Sequence, residues 1–186
     1  MDTAVATSAL QLSYSARTDT AKNPNTPQNI LRTLLRDSNP SIRQLVGSNI
    51  NTDPGTLMSL AVDYDPYVRK AVASNVSTPV AALSVLSLDT YHYVRRCVAQ
   101  NTSTCTDTLD TLAKDKDLFV RRSVAANPHT APAVLLALSC DTDWVICWSI
   151  IGNPSTPDSA LGILYHNTVT SGVQQYPEVP DQVRAA

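Results

Sequence analysis

Glutamate is almost missing from this chain: Glu178 stands alone against fifteen aspartates. Helix surfaces usually favour Glu, whereas Asp belongs to caps and turns, so the imbalance argues for many short helices with many ends. Long apolar runs are missing too. No stretch approaches the length needed to cross a bilayer, and the acidic start MDTAVATSALQLSYSARTD lacks the apolar segment of a secretory signal. The four cysteines, Cys97, Cys105, Cys140 and Cys147, have neither metal-ligand spacing nor the density of a disulfide framework. They read as free, mostly buried thiols in a reducing compartment, and the expected location is cytoplasmic. Charge of one sign is absent as a bulk property. A formal net charge of −2 gives no global pull towards nucleic acid or an anionic membrane.

Catalytic signatures are missing as well. No GxxxxGK[ST] loop, HExxH helix or GxSxG elbow occurs. His92, His129 and His166 fall at unrelated places and are not expected to converge. The carboxylate pairs Asp63/Asp65, Asp115/Asp117 and Asp141/Asp143 suggest divalent-cation binding at first sight. They are better explained as a helix-end residue followed by the next N-cap. The expectation is a non-enzymatic protein with no cofactor and no metal.

What the chain does have is a period. Asn23, Asn49, Asn75, Asn101, Asn127 and Asn153 stand 26 residues apart without slippage. Thr26, Thr52, Thr78, Thr104, Thr130 and Thr156 keep the same register, as do Leu columns beginning at Leu31 and Leu34. Asp37, Asp63, Asp89, Asp115 and Asp141 form a further column, completed by Asn167. A period of this size means a solenoid, in which each unit buries its apolar face against its neighbours.

The unit from Asp65 to Thr90 shows the local logic. Asp65-Pro66 is an N-cap followed by Pro at the first helical position, where the missing N–H costs nothing. Asn39-Pro40 repeats it, Asp117 and Asp143 keep the cap alone, and Tyr91-His92 has neither feature. The helix YVRKAVAS carries Val68 and Val72 on one face and stops near Asn75, expected here as a left-handed terminator. Ser77-Thr78-Pro79 is expected to start the second helix with a hydroxyl cap, and that helix presents Leu83 and Leu86. Helices of two to three turns are unstable alone, so stacking must stabilise them. The Val/Ile columns through Val68 and Val72 join the Leu columns in the core, and Gly47, Ala73, Ala99 and Ala125 permit close helix approach. The fold class is therefore all-α: a right-handed solenoid of about six 26-residue two-helix repeats. Alternation of α with 3₁₀ helix and of α with α both remain open.

The wording VRxxVAxNxxTPxxxLxxLxxD resembles the variant leucine-rich repeat, a strand-free bacterial module. Residues 67–89, YVRKAVASNVSTPVAALSVLSLD, and 119–141, FVRRSVAANPHTAPAVLLALSCD, carry the likeness. It implies a solenoid alternating α and 3₁₀ helices, close to the HEAT-like architecture. The family's founding member has a cysteine cluster ahead of its repeats, and residues 1–96 here contain no cysteine. The resulting division is an N-terminal cap with a degraded half-repeat over 1–22, a solenoid over 23–167 and an extended tail over 168–186. The tail, with Tyr176-Pro177-Glu178-Val179-Pro180, is expected to cover the last unit or reach another chain.

Three columns are candidates for function. Arg17, Arg43, Arg69, Arg95 and Arg121 form a basic column in which, from Arg43 onward, each Arg follows a column Asp by six residues. It reads either as structural links to those Asp residues or as an anion-reading column. Gln44, Lys70, Arg96, Arg122 and Trp148 occupy a more outward position. The pairs Arg95-Arg96 and Arg121-Arg122, with Lys70, make the case for anion or nucleic-acid binding. Tyr67, Tyr93 and Phe119 form an aromatic column with Tyr91, Trp144 and Trp148 nearby, either padding between helices or anchoring a protein partner. Trp148 reads equally as a partner anchor or as a cover for the end of the stack against the tail. The resulting expectation is a scaffold for protein–protein interaction or self-association, with nucleic-acid binding as the alternative and no membrane role.

Overall fold

Short helices follow one another in pairs through residues 9–171, the part of the chain described by the computed structural model. The first helix of each pair is α1 Tyr14–Lys22, α3 Pro40–Ser48, α5 Pro66–Ser74, α7 His92–Gln100, α9 Leu118–Ala126 and α11 Trp144–Ile151. The second is α2 Gln28–Leu34, α4 Pro54–Leu60, α6 Val80–Leu86, α8 Thr106–Leu112, α10 Pro132–Leu138 and α12 Asp158–Ser171. No strand occurs among the described residues, and all twelve elements are α-helical, so the alternation is α with α. None is long and apolar enough to cross a membrane.

The starts of the first helices follow the sequence. Asp65 accepts from the backbone N–H of Tyr67 at 2.8 Å, Asn39 from Ser41 at 2.9 Å, and Asp117 from Phe119 at 2.9 Å. Asp143 accepts from Val145, while Tyr91 makes no cap bond with its side chain. These caps each satisfy one or, for Asp65 and Asp117, two of the donors that a helix N-terminus leaves without a partner.

The chain divides into two compact units, one ending at Ser103 and the other beginning at Thr104. In the first, α1, α3, α5 and α7 pack in succession, while α4 packs on α6. Its core is made of the expected columns: Leu31, Leu57 and Leu83, with Ile42, Val68 and Val94, and Val46, Val72 and Val98, are fully buried. In the second unit α9 packs on α11 and α10 on α12, over Leu109, Leu135, Val120, Ile146, Val124 and Ile150. Gly47 marks a close crossing: a Cβ placed there would meet Val72 Cγ2 at 3.2 Å. Leu164 is buried but Leu161, the last member of its column, is only half-buried. α12 continues past Asn167 to Ser171, and the remaining tail lies outside the described residues.

Two sequence expectations fail, for one reason. Asn75 is not left-handed; its backbone is extended, with φ −80° and ψ 124°. Its buried amide donates instead to the carbonyls of Gly47 at 2.8 Å and Asn49 at 2.9 Å, in the preceding repeat, and its Oδ1 accepts from Ser77 N–H. Asn49 treats Ala21 and Asn23 in the same way, Asn101 treats Ala73 and Asn75, and Asn153 treats Ala125 and Asn127. Thr78, too, does not cap the helix after it: Pro79 is the N-cap of α6 and no side-chain bond is made there. Its hydroxyl turns back and donates to Val72 O at 2.6 Å. Both residues serve carbonyls at the C-terminal end of a first helix: the Asn amide supplies a donor to Gly47 O, and the Thr hydroxyl adds a second donor to Val72 O, which also accepts from Asn75 N–H.

Candidate interaction surface

The Arg column is a structural ladder, and the carboxylate partner of Arg17, Arg43, Arg69 and Arg121 is the next Asp in the column rather than the preceding one. Arg43 Nε and Nη2 bind Asp63 at 2.6 and 3.0 Å, while Nη1 donates to the backbone carbonyl of Asp37 at 2.7 Å. Arg69 makes the same fork with Asp89 and reaches Asp63 O, and Arg121 does so with Asp141 and Asp115 O. Arg17 Nε lies 2.7 Å from Asp37, and Arg95 Nη1 donates to Asp89 O and Thr90 O. The planar guanidinium suits this job because it holds a carboxylate with two donors and a carbonyl with a third.

Asp63 is correspondingly overdetermined. Burial opposes its ionisation, but the hydrogen bonds from Arg43 and from the backbone N–H of Asp65 outweigh it, and its carboxyl sits below the usual carboxylate range. Asp141 is lowered against burial in the same way by Arg121 and Asp143 N–H. The Asp63 hydrogen bond raises the Arg43 guanidinium above its ordinary value, against the cost of burial. The paired aspartates are therefore ladder members followed by caps. Among the described residues no group of three or more His, Cys, Asp or Glu is placed to hold a metal ion.

The outward residues differ from the ladder. In the first unit Lys70 and Arg96 are half-exposed, and no carboxylate among the described residues pairs with either. The Nε of Arg96 is covered and has no hydrogen-bond partner. Tyr67 is 58% exposed and Tyr93 half-buried, and their rings stack with centroids 5.8 Å apart and planes 17° apart. Tyr91 lies 5.3 Å from Tyr93 with the Arg69 guanidinium over its ring at 5.9 Å, and His92 meets Tyr93 edge-on. Tyr64, 76% exposed and lying under the Arg43 guanidinium at 4.6 Å, is a further exposed aromatic that the sequence columns do not single out. Its signal was an exposed loop position just after a column Asp, which only the observed Arg contact makes informative. In the second unit Phe119, Trp144, Trp148 and Arg122 are all exposed.

Two depressions among the described residues gather no catalytic set. A depression of about 240 Å³ in the first unit is lined by Ser74, Val76, Cys97, Gln100, Asn101 and Thr102. One of about 260 Å³ in the second includes Lys114, Asp110, Leu138 and Cys140. All four cysteines are unpaired; Cys97 and Cys147 are buried, Cys105 is half-buried and Cys140 is exposed. Burial, reinforced by Asp141, pushes the Cys147 thiol up to about 11, which keeps it protonated.

No family model and no curated protein matches this chain. Among solved structures it is similar to a protein described as a leucine-rich repeat variant with a novel repetitive structural motif. That match is 21% identical, with a TM-score of 0.42, over 97% of this chain and 79% of the other.

Proposed function

We propose that this protein is a non-catalytic binding scaffold of the variant leucine-rich, HEAT-like repeat type, working in a reducing cytoplasm and docking a protein partner on its first-helix surfaces. The observation that carries this reading is the exposure of large aromatics at repeated positions, with Tyr67 at 58% and Phe119 at 45%. Padding between helices would have buried them. Tyrosine and tryptophan are favoured anchors because they bring large area and few rotors to a contact. The mutual stacking of Tyr67 and Tyr93 further lowers the cost of ordering them. The four free thiols support the compartment.

Nucleic-acid binding has less support. It would draw on Arg95 and Arg121 beside Lys70, Arg96 and Arg122. Arg121 is held in a fork by Asp141, and Arg95 donates to two loop carbonyls. A photo-crosslinking residue at Tyr67 or at Phe119, used in extract of the source cells, tests the proposal. Discrete protein adducts are expected there and not from the exposed second-helix positions Ser59 and Thr111. Nucleic-acid adducts alone, or equal labelling at all four positions, would rule it out.

A further inference from the structure

Charge is sorted between the two kinds of helix. The six first helices carry nine of the chain's fourteen Lys and Arg residues and one carboxylate, Asp19. The other acidic residues belong to second helices, to the loops and to the chain ends. Five of the nine cations form the ladder, whose loop contacts account for them. Lys22, Lys70, Arg96 and Arg122 are left over. In the first unit Lys70 follows Tyr67 by three residues on α5, and Arg96 follows Tyr93 by three on α7. Residues three apart on a helix are surface neighbours. Since Tyr67 and Tyr93 stack across the two helices, the cations flank a single tyrosine platform. α3, α5 and α7 contain no acidic residue that would neutralise it.

We infer that the α5–α7 face of the first unit binds an acidic peptide segment with interspersed apolar side chains. The inference rests on the scaffold reading and names the chemistry of the partner. Carboxylates of the segment would meet Lys70 and the open positions of the Arg96 guanidinium, and its apolar side chains would lie on Tyr67 and Tyr93. Charge complementarity of this kind selects partners and speeds encounter, whatever the sign of the whole protein. The platform favours a peptide over nucleic acid for two reasons. Its tyrosines are stacked on each other rather than splayed to receive bases, and too few unpaired cations surround it to follow a phosphate backbone.

The test is fluorescence anisotropy with the full chain and three labelled probes: a peptide alternating Glu and Phe, one alternating Lys and Phe, and oligo-dT. The acidic peptide is expected to bind best and to weaken as salt rises. The double variant K70E/R96E should lose roughly tenfold or more, with its circular dichroism unchanged because both side chains are partly exposed. K114E/K116E makes the same change in net charge at exposed lysines outside α5 and α7 and should bind as the parent does. Equal binding of the basic peptide, equal loss in K114E/K116E, or tighter binding of oligo-dT would each overturn the inference. Discrete adducts at Tyr67 without any preference for the acidic probe would discard the partner chemistry alone. Absence of those adducts would discard the scaffold reading itself.

Discussion

A buried asparagine amide has two donors and an acceptor to satisfy, and in this protein one side chain satisfies all three across two repeats. Asn75 Nδ2 serves Gly47 O and Asn49 O, and its Oδ1 takes Ser77 N–H. Because the carbonyl of one column Asn is the acceptor for the next, neither spacing nor residue type can drift. Asn75→Ala leaves Gly47 O and Ser77 N–H without partners and takes from Asn49 O one of its two donors, the other being Thr52 N–H. That change is expected to cost roughly 2–4 kcal/mol. Asn75→Asp should cost at least as much, because it sets an acceptor against acceptors. Urea denaturation of the two variants measures this, and a loss below about 1 kcal/mol in both would show the stitch to be dispensable. The same principle explains Thr78, whose hydroxyl alone among side chains of its size can both fit and donate to Val72 O.

At the level of the helix, stability is set by ends. Elements of seven to nine residues expose a high proportion of terminal N–H and C=O groups. A side-chain oxygen caps the start of most first helices, from Asp in α5, α9 and α11, Asn39 in α3 and Ser13 in α1, and Asn and Thr serve the other end. α7 is the exception, since Tyr91 occupies its cap position. Asp117→Ala should therefore weaken α9 by about 1 kcal/mol. Tyr91→Asp should strengthen α7 by less than that, because it also gives up the ring contact with Tyr93. Thermal melts of the two variants should move in opposite directions. A fall in both would mean that the Tyr91 contacts outweigh a cap.

In the whole molecule the Arg–Asp ladder couples folding to pH. Asp63 in one unit and Asp141 in the other have depressed folded-state pKa values. Such groups contribute stability that is fully present above the unfolded carboxylate value of about 3.9 and is lost as pH falls through the lower folded values. Stability should thus be flat down to about pH 4 and decline below it, with both units affected. Denaturation midpoints measured across the acid range provide the check, and Asp63→Asn should remove part of the slope. A curve that stays level through strongly acid pH would show that the forks add nothing net. That outcome is physically open, because the desolvation of each buried pair offsets much of its attraction.

The sequence by itself determined what local chemistry and periodicity encode. The 26-residue register, the apolar columns, the Asp and Asn caps of the first helices and the missing cap at Tyr91 all follow from near neighbours in the chain. Only the tertiary structure decided where long side chains find partners in another repeat. The sequence placed an Asp six residues before Arg43, yet the carboxylate it grips is Asp63, twenty residues after it. Column spacing makes both candidates equally regular, and only the packing of one repeat on the next decides between them. Asn75 looks like a backbone terminator in its local sequence for the same reason, since its acceptors lie 26 and 28 residues back. The candidate surface was half legible. Helical spacing pointed to Tyr67, Lys70 and Arg96, but the stacking of Tyr67 on Tyr93, the capture of Arg69 and Arg121 by the ladder and the exposure of Tyr64 are contacts between elements, which no single helix encodes.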